Sequence, residues 1–158
     1  MKKDKIDCVI SDIQYYFKFL FDKGYQIQHI KKLPMGDWQV TLSLDNCAIV
    51  IYTDRGEMDL VFSPVNSDGN YRVGITGMVY FLSYGQNYIG KFKRNFFDTQ
   101  KKQFERLATL LNEYIDQITP YFGEDFEKYK QELILVQQKC LAIYMDKYIS
   151  KRKHGDWG

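Results

Sequence analysis

The residues with the clearest potential for chemistry are three carboxylates close together in the sequence. Asp54, Glu57 and Asp59 lie around one predicted turn. Metal-dependent nucleases use such groups, but the Glu-x-Lys part of their pattern is missing here, because Asp59 stands where the lysine would be. An aspartate in a turn also accepts hydrogen bonds from nearby backbone groups, which accounts for Asp54 without chemistry. We therefore interpret these residues as a solvated turn.

The other groups that serve catalysis are few and scattered. His29 and His154 are the only two histidines, and most of the chain separates them. The sequence contains no Gly-x-Ser-x-Gly motif and no glycine-rich phosphate-binding motif. The three cysteines are far apart in apolar patterns, which is typical of buried thiols in a reducing compartment. We accordingly predict a protein that is not an enzyme and that holds no metal or cofactor.

One segment interleaves basic and aromatic residues. Lys91, Phe92, Lys93 and Arg94 begin a stretch, 91–102, that also contains further lysines and phenylalanines. Single-stranded nucleic acid is bound by such sets, with cations on the phosphates and rings stacked on the bases. The net charge of the chain is only +2, so no general electrostatic attraction to nucleic acid is expected. This segment is the basis of an alternative prediction, a single-stranded nucleic-acid-binding module.

Two other groups of residues suit the recognition of a protein. Aromatic residues make up 16% of the chain, more than a small core easily buries, so exposed rings are expected. The first predicted group lies in a strand and the following turn, and it consists of Tyr52, Asp54, Arg55 and Glu57. The second lies where two predicted helices meet, and it consists of Tyr121, Glu124 and Asp125. The leading prediction is therefore a non-enzymatic protein-binding module.

The stretch 38–64 positions the first group. Trp38, Val40 and Leu42 alternate with polar residues, which predicts a strand with one buried face. Residues 47–52 are apolar at every position, as in a central strand covered on both faces or one whose outer face meets something other than water. Asp, Asn and Gly at 45–46 and 54–56 suit tight turns. The stretch predicts an antiparallel meander.

Helices are predicted on both sides of this meander. Apolar residues recur every three or four positions over 4–23, which predicts an N-terminal helix. Residues 25–33 are interpreted as an edge strand with an irregularity near His29. The apolar run 75–84 is too short to span a membrane, and we favour a buried helix there over a strand.

The second half of the chain predicts two long helices. The first is expected from Asp98, as its N-cap, to Ile118, where Thr119-Pro120 ends it. The second is expected from Glu124 to Ser150, and the short link predicts that the two are antiparallel neighbours. The fold class is therefore α+β: an antiparallel sheet of about four strands, with the N-terminal helix and the two long helices packed on one face.

Length and composition indicate one domain over residues 1–158, with a flexible tail at 151–158. No secretory signal and no apolar run of about 20 residues occurs, so a cytoplasmic protein that does not enter membranes is expected. The sequence carries no prediction of oligomeric state.

Four segments together resemble a known kind of protein: residues 16–25 (YFKFLFDKGY), 50–60 (VIYTDRGEMDL), 107–114 (LATLLNEY) and 122–126 (FGEDF). Their order is similar to that in small bacterial proteins of the immunity-protein type, which belong to polymorphic toxin systems. The resemblance implies a cytoplasmic inhibitor that binds a toxin domain and blocks its active site. It implies no catalytic residue.

Overall fold

The computed structural model describes residues 4–65, 71–86 and 99–153, with side chains described up to residue 146. The strands are β1 (Gln26–Lys32), β2 (Trp38–Leu44), β3 (Cys47–Asp54), β4 (Glu57–Pro64) and β5 (Val73–Gly74). The helices are α1 (Lys5–Tyr16), α2 (Lys18–Asp22), α3 (Ile75–Leu82), α4 (Gln100–Ile118) and α5 (Phe126–Lys153). Short 3₁₀ segments lie at Pro34–Gly36 and Thr119–Phe122.

The five strands form one antiparallel sheet in sequence order, β1-β2-β3-β4-β5. This confirms the predicted meander and adds a two-residue fifth strand. The pairing of β1 with β2 shifts between Ile27 and His29, where an irregularity was predicted. Both predicted hairpin turns are present, and Asp45, Arg55 and Gly56 there adopt left-handed φ values of 52°, 51° and 79°.

The sheet has two different faces. One face belongs to the main core and includes Val40, Leu42, Ile49, Ile51 and Leu60, each 0% exposed. The other, which we call the outer face, carries polar residues on β2 and small or apolar residues on the central strand. Ala48 and Val50 lie on this outer face and are buried, although they are not part of the main core cluster. The apolar character of β3 at every position is thereby explained.

The N-terminal helical segment is interrupted once. Phe17, with φ −103° and ψ 27°, separates α1 from α2, where one continuous helix was predicted. Ile13, Phe17 and Leu20, before, at and after this break, are all 0% exposed in the same core.

The long helices begin slightly later than predicted. Thr99 caps α4, and its hydroxyl accepts a hydrogen bond from the Lys102 N–H at 3.3 Å. Helix α5 starts at Phe126 and continues to Lys153, into the predicted tail. The 3₁₀ segment links the two helices, but the main helical partner of α5 is α3, and α4 packs on α1 and β4.

The architecture is α+β, with an antiparallel sheet, an N-terminal helix and C-terminal helices. Among the helices in the described ranges, none has both the length and the apolar character needed to cross a bilayer.

Candidate functional site

The β3–β4 hairpin carries the first predicted group on the outer face of the sheet. Cross-strand pairing places Tyr52 opposite Asp59 and Asp54 opposite Glu57. Successive residues of a strand alternate between its faces, so these four side chains share one face. We call them the tip patch. Arg55 lies in the turn between the strands and is exposed.

The pairing at the end of the hairpin places two like charges opposite each other. Asp54 and Glu57 are both exposed carboxylates at directly paired positions. Like charges directly opposite in an antiparallel pair destabilise it. Stability of the fold therefore does not explain why both positions are acidic.

Tyr52 is half-buried beside these carboxylates. Burial, followed by the carboxylates of Asp59 and Asp54, raises the pKa of its hydroxyl to about 12, although the nearby Arg72 guanidinium opposes this rise. The phenol therefore stays protonated at neutral pH and can donate a hydrogen bond. Arg72, on the segment entering β5, is exposed and was not predicted as a site residue.

Asp37 holds the hairpin turn from one side. Its carboxylate oxygens accept hydrogen bonds from the backbone N–H groups of Arg55, at 2.9 Å, and Gly56, at 3.1 Å. The Gly56 N–H, followed by that of Arg55, lowers the pKa of the Asp37 carboxyl below its usual range. The turn is thus joined to the segment that begins β2.

Gln103 of α4 holds the same hairpin from the core side. Its side-chain Nε2 donates to the Gly56 carbonyl at 3.1 Å, and its Oε1 accepts from the Met58 N–H at 2.9 Å. Gln103 is 9% exposed. Four hydrogen bonds from two distant segments therefore fix a turn whose charged side chains point into solvent.

The hydrogen bonds of Asp37 predict a pH dependence of stability. The pKa of Asp37 is lower in the folded protein than in the unfolded chain, where it is about 4. The stabilisation is therefore present above that unfolded pKa and is lost as the pH falls through the folded pKa. We expect Asp37→Ala to lower the melting temperature at pH 7 much more than at pH 2.5. Thermal melts with Asp146→Asn, at an exposed aspartate, as the control would check this, and an equal loss at both pH values would contradict it.

The second predicted group lies elsewhere in the fold. Tyr121 is half-buried against the rings of Phe81 and Tyr129, with centroids 5.1 and 4.8 Å away. The expectation of an exposed ring is therefore wrong for Tyr121, as it is for the half-buried Tyr52. Glu124 and Asp125 are exposed where α5 begins.

This second group does not join the tip patch. The neighbouring Phe122 stacks on Phe62 at 5.7 Å, five residues along β4 from Glu57. Five residues of a strand span about 17 Å, so the two predicted groups are well separated.

The remaining predicted residues do not form a site within the described ranges. Lys91, Phe92, Lys93 and Arg94 lie outside them, so the nucleic-acid alternative stays a prediction. His29 is exposed on the edge strand, and the described residues contain no group of three His, Cys, Asp or Glu side chains that could hold a metal ion.

The cysteines differ from one another. Cys47 and Cys140 are buried as predicted, and burial raises the pKa of the Cys47 thiol to about 12. Cys8 is exposed, contrary to prediction, because it lies off the buried side of α1.

A cleft of about 220 Å³ lies between β5 and α5. Tyr71 is part of its wall, and the Lys130 ammonium lies 3.9 Å from the centroid of that ring in a cation–π contact. Asp54, Glu57 and His29 do not line this cleft. Its volume is below the ~300 Å³ typical of small-molecule sites, so we regard it as a packing defect beside the helix.

Comparison of the chain with protein-family models, curated proteins and solved structures finds no match among any of them. The structure by itself shows an α+β protein whose β3–β4 turn carries acidic residues and is held by side-chain hydrogen bonds.

Sequence reasoning found the charged residues of that turn but missed the residues that hold it. Gln103 did give a signal, because it is spaced four and eight residues from the buried Leu107 and Leu111 and so is a polar residue in an apolar stripe. No sequence pattern pointed to Asp37, which holds the turn, or to Arg72, which lies near the Tyr52 hydroxyl.

Proposed function

We propose that the protein is a non-enzymatic binding module that recognises another protein through the tip patch and Arg55. The observation that carries the proposal is the combination at the hairpin: a backbone held by four side-chain hydrogen bonds and a like-charge pair left exposed on it. A rigid turn loses little conformational entropy when it binds, so its contacts contribute fully to affinity. Residues that lower the stability of a fold, and that no other contact in the fold requires, are characteristic of functional surfaces.

The chemistry of the patch favours a partner with a basic surface. Asp54 and Asp59 place two carboxylates near the Tyr52 hydroxyl, and Glu57 adds a third on the same face. The nearby cations are Arg55 in the turn and Arg72. Opposite charge accelerates encounter, and a half-buried tyrosine supplies contact area together with a hydrogen-bond donor. The binding rate should therefore fall as the salt concentration rises.

Within this class we favour an immunity protein, an inhibitor that binds a toxin domain stoichiometrically. An exposed turn that carries the carboxylates of Asp54 and Glu57 is suited to bind at a basic active-site cleft and to block it. The resemblance of four segments to immunity-type proteins supports the same proposal.

A pair of isosteric variants tests the proposal. Asp54→Asn/Glu57→Gln removes the like-charge pair and should leave the melting temperature unchanged or slightly raised. Proteins captured from extracts of the native host by the wild-type chain should be bound at least about 10-fold more weakly by this variant, the equivalent of about 1.4 kcal/mol.

The matched control removes two carboxylates at the other predicted group. Glu124→Gln/Asp125→Asn should retain the captured protein. If this control loses the partner and the hairpin variant keeps it, the site is at the helix junction instead. Salt-sensitive retention on single-stranded DNA, with no protein captured, would support the nucleic-acid alternative.

A further inference from the structure

The turn that joins β1 to β2 exposes an apolar side chain completely. Met35 lies in the 3₁₀ segment Pro34–Gly36 and is 99% exposed. Its backbone is left-handed, with φ 61° and ψ 25°. An L side chain is disfavoured there, because its Cβ lies too close to the following carbonyl oxygen. The fold therefore gains no packing from Met35 and holds it in a conformation that glycine or asparagine would adopt more easily.

Contacts from both sides fix this turn in place. The Leu33 N–H donates a hydrogen bond to the Asp37 carbonyl at 2.8 Å, which closes the turn on itself. From α1, the Lys5 ammonium donates to the Gly36 carbonyl at 2.8 Å. Met35 is therefore displayed on a held turn, as the charges of the tip patch are.

The β1–β2 turn is also joined to the tip patch. Asp37 lies two residues after Met35, and its carboxylate accepts the hydrogen bonds from Arg55 and Gly56. Two residues span at most about 7 Å, so Met35 and the hairpin turn lie at the same end of the sheet. One protein interface, which covers about 800 Å² on each partner, is large enough to contact both turns.

The two ends of the sheet differ in the residues that they place at left-handed positions. At the far end, the β2–β3 turn has Asp45 at φ 52°, and aspartate tolerates this conformation through local hydrogen bonds. At the tip-patch end, Met35 and Arg55 have φ values of 61° and 51°, although neither residue type is favoured in such turns. Departures from turn chemistry are expected at functional sites, so these two on adjoining turns indicate a role in contact and not in folding.

We propose that Met35 is the apolar contact of the tip-patch interface and that it enters an apolar recess beside the basic surface of the partner protein. This contact rests on the proposed function, because the exposed carboxylates of Asp54 and Glu57 are what define a basic partner. A methionine side chain is unbranched and polarizable, so it fits irregular apolar pockets. Methionine is also enriched in the cores of protein interfaces, whereas charged residues lie at their rims.

Stability and binding should change in opposite directions in one variant. Met35→Asn introduces a residue that tolerates the left-handed backbone, so the melting temperature should rise by about 2 °C. The same variant should bind the protein captured from extracts of the native host at least about 10-fold more weakly, because no methionine side chain is buried on binding. Met35→Leu keeps an apolar side chain of similar volume and should bind within about threefold of the wild-type chain.

Tyr84 supplies the matched control. Its backbone is also left-handed, with φ 55°, and its side chain is 95% exposed. It lies three residues after Phe81, which contacts Tyr121 of the second predicted group. Tyr84→Asn should therefore raise the melting temperature as well, but leave partner binding unchanged. Loss of the partner in this variant, with binding retained by Met35→Asn, would overturn the proposal.

Cross-linking tests the contact without relying on affinity. In a Cys8→Ser background, which removes the exposed thiol, a thiol-specific benzophenone reagent is attached through Met35→Cys or Tyr84→Cys. Irradiation should join the captured protein to position 35 and not to position 84. If Asp54→Asn/Glu57→Gln releases the captured protein, but Met35→Asn does not and no cross-link forms at position 35, only the Met35 contact is refuted. If no protein is captured, the proposed function is refuted together with it.

Discussion

Replacing Phe104 with alanine is expected to lower the free energy of unfolding by about 3–5 kcal/mol. Phe104 is 0% exposed at the place where α1, α4 and β2 meet. Its ring stacks on Tyr16 and on Trp38, with centroids 5.4 and 5.9 Å away, and meets the edge of Phe17 at 6.2 Å. Truncation leaves a cavity. The neighbouring rings cannot move in to fill it, because each is fixed by the packing of its own helix or strand.

Chemical denaturation followed by tryptophan fluorescence measures this loss, since Trp38 is one of the stacked rings. The matched control is Tyr15→Ala. Tyr15 also contacts Tyr16, edge to face at 5.0 Å, but is 75% exposed. Its removal should cost less than about 1 kcal/mol, because little apolar surface is returned to water. Comparable losses in the two variants would show that Phe104 is not the centre of the aromatic cluster.

Replacing Gln103 with leucine is expected to cost about 2–4 kcal/mol and to loosen the hairpin as well. The substitution leaves the buried Met58 N–H without its acceptor and the part-buried Gly56 carbonyl without its donor. A buried polar group that loses its partner costs about 1–3 kcal/mol. The amide hydrogen of Met58 should also exchange faster, by more than the loss of global stability predicts. The reason is that its own hydrogen bond, to Gln103 Oε1, is lost.

Two further variants isolate the cause. Gln117→Leu makes the same change at an exposed position of α4 and should be nearly neutral. Gln103→Glu keeps an acceptor for Met58 but removes the donor to Gly56, so its effect should depend on pH and stay large near neutrality, where a carboxylate would be buried. If Gln103→Leu were as mild as Gln117→Leu, the hairpin would not depend on α4.

The hairpin also connects stability with the proposed function. Gln103→Leu should weaken partner binding even at temperatures where the protein stays folded, because a mobile turn must be ordered on binding. Phe104→Ala acts on the core and should affect binding only in proportion to the unfolded fraction. The comparison separates a role in preorganising the turn from a general effect on folding.

Local patterns in the sequence predicted most of the secondary structure. The meander was predictable because its contacts join residues close in the chain and because alternating apolar residues and turn-forming residues act over short distances. The same holds for the helices and for the residues of the tip patch, which a single hairpin brings together. The irregularity near His29 was also visible in the parity of Tyr25, Ile27 and Ile30.

What the sequence by itself determined is therefore the set of elements, the α+β class and the charged residues of one turn. Only the tertiary structure decided how that turn is held, because Asp37 and Gln103 reach it from 18 and 45 residues away. It also decided that Phe17 interrupts the first helix and that α5 packs mainly on α3. These features depend on which buried surfaces fit together across the whole molecule, and periodicity within a single segment contains no information about that fit.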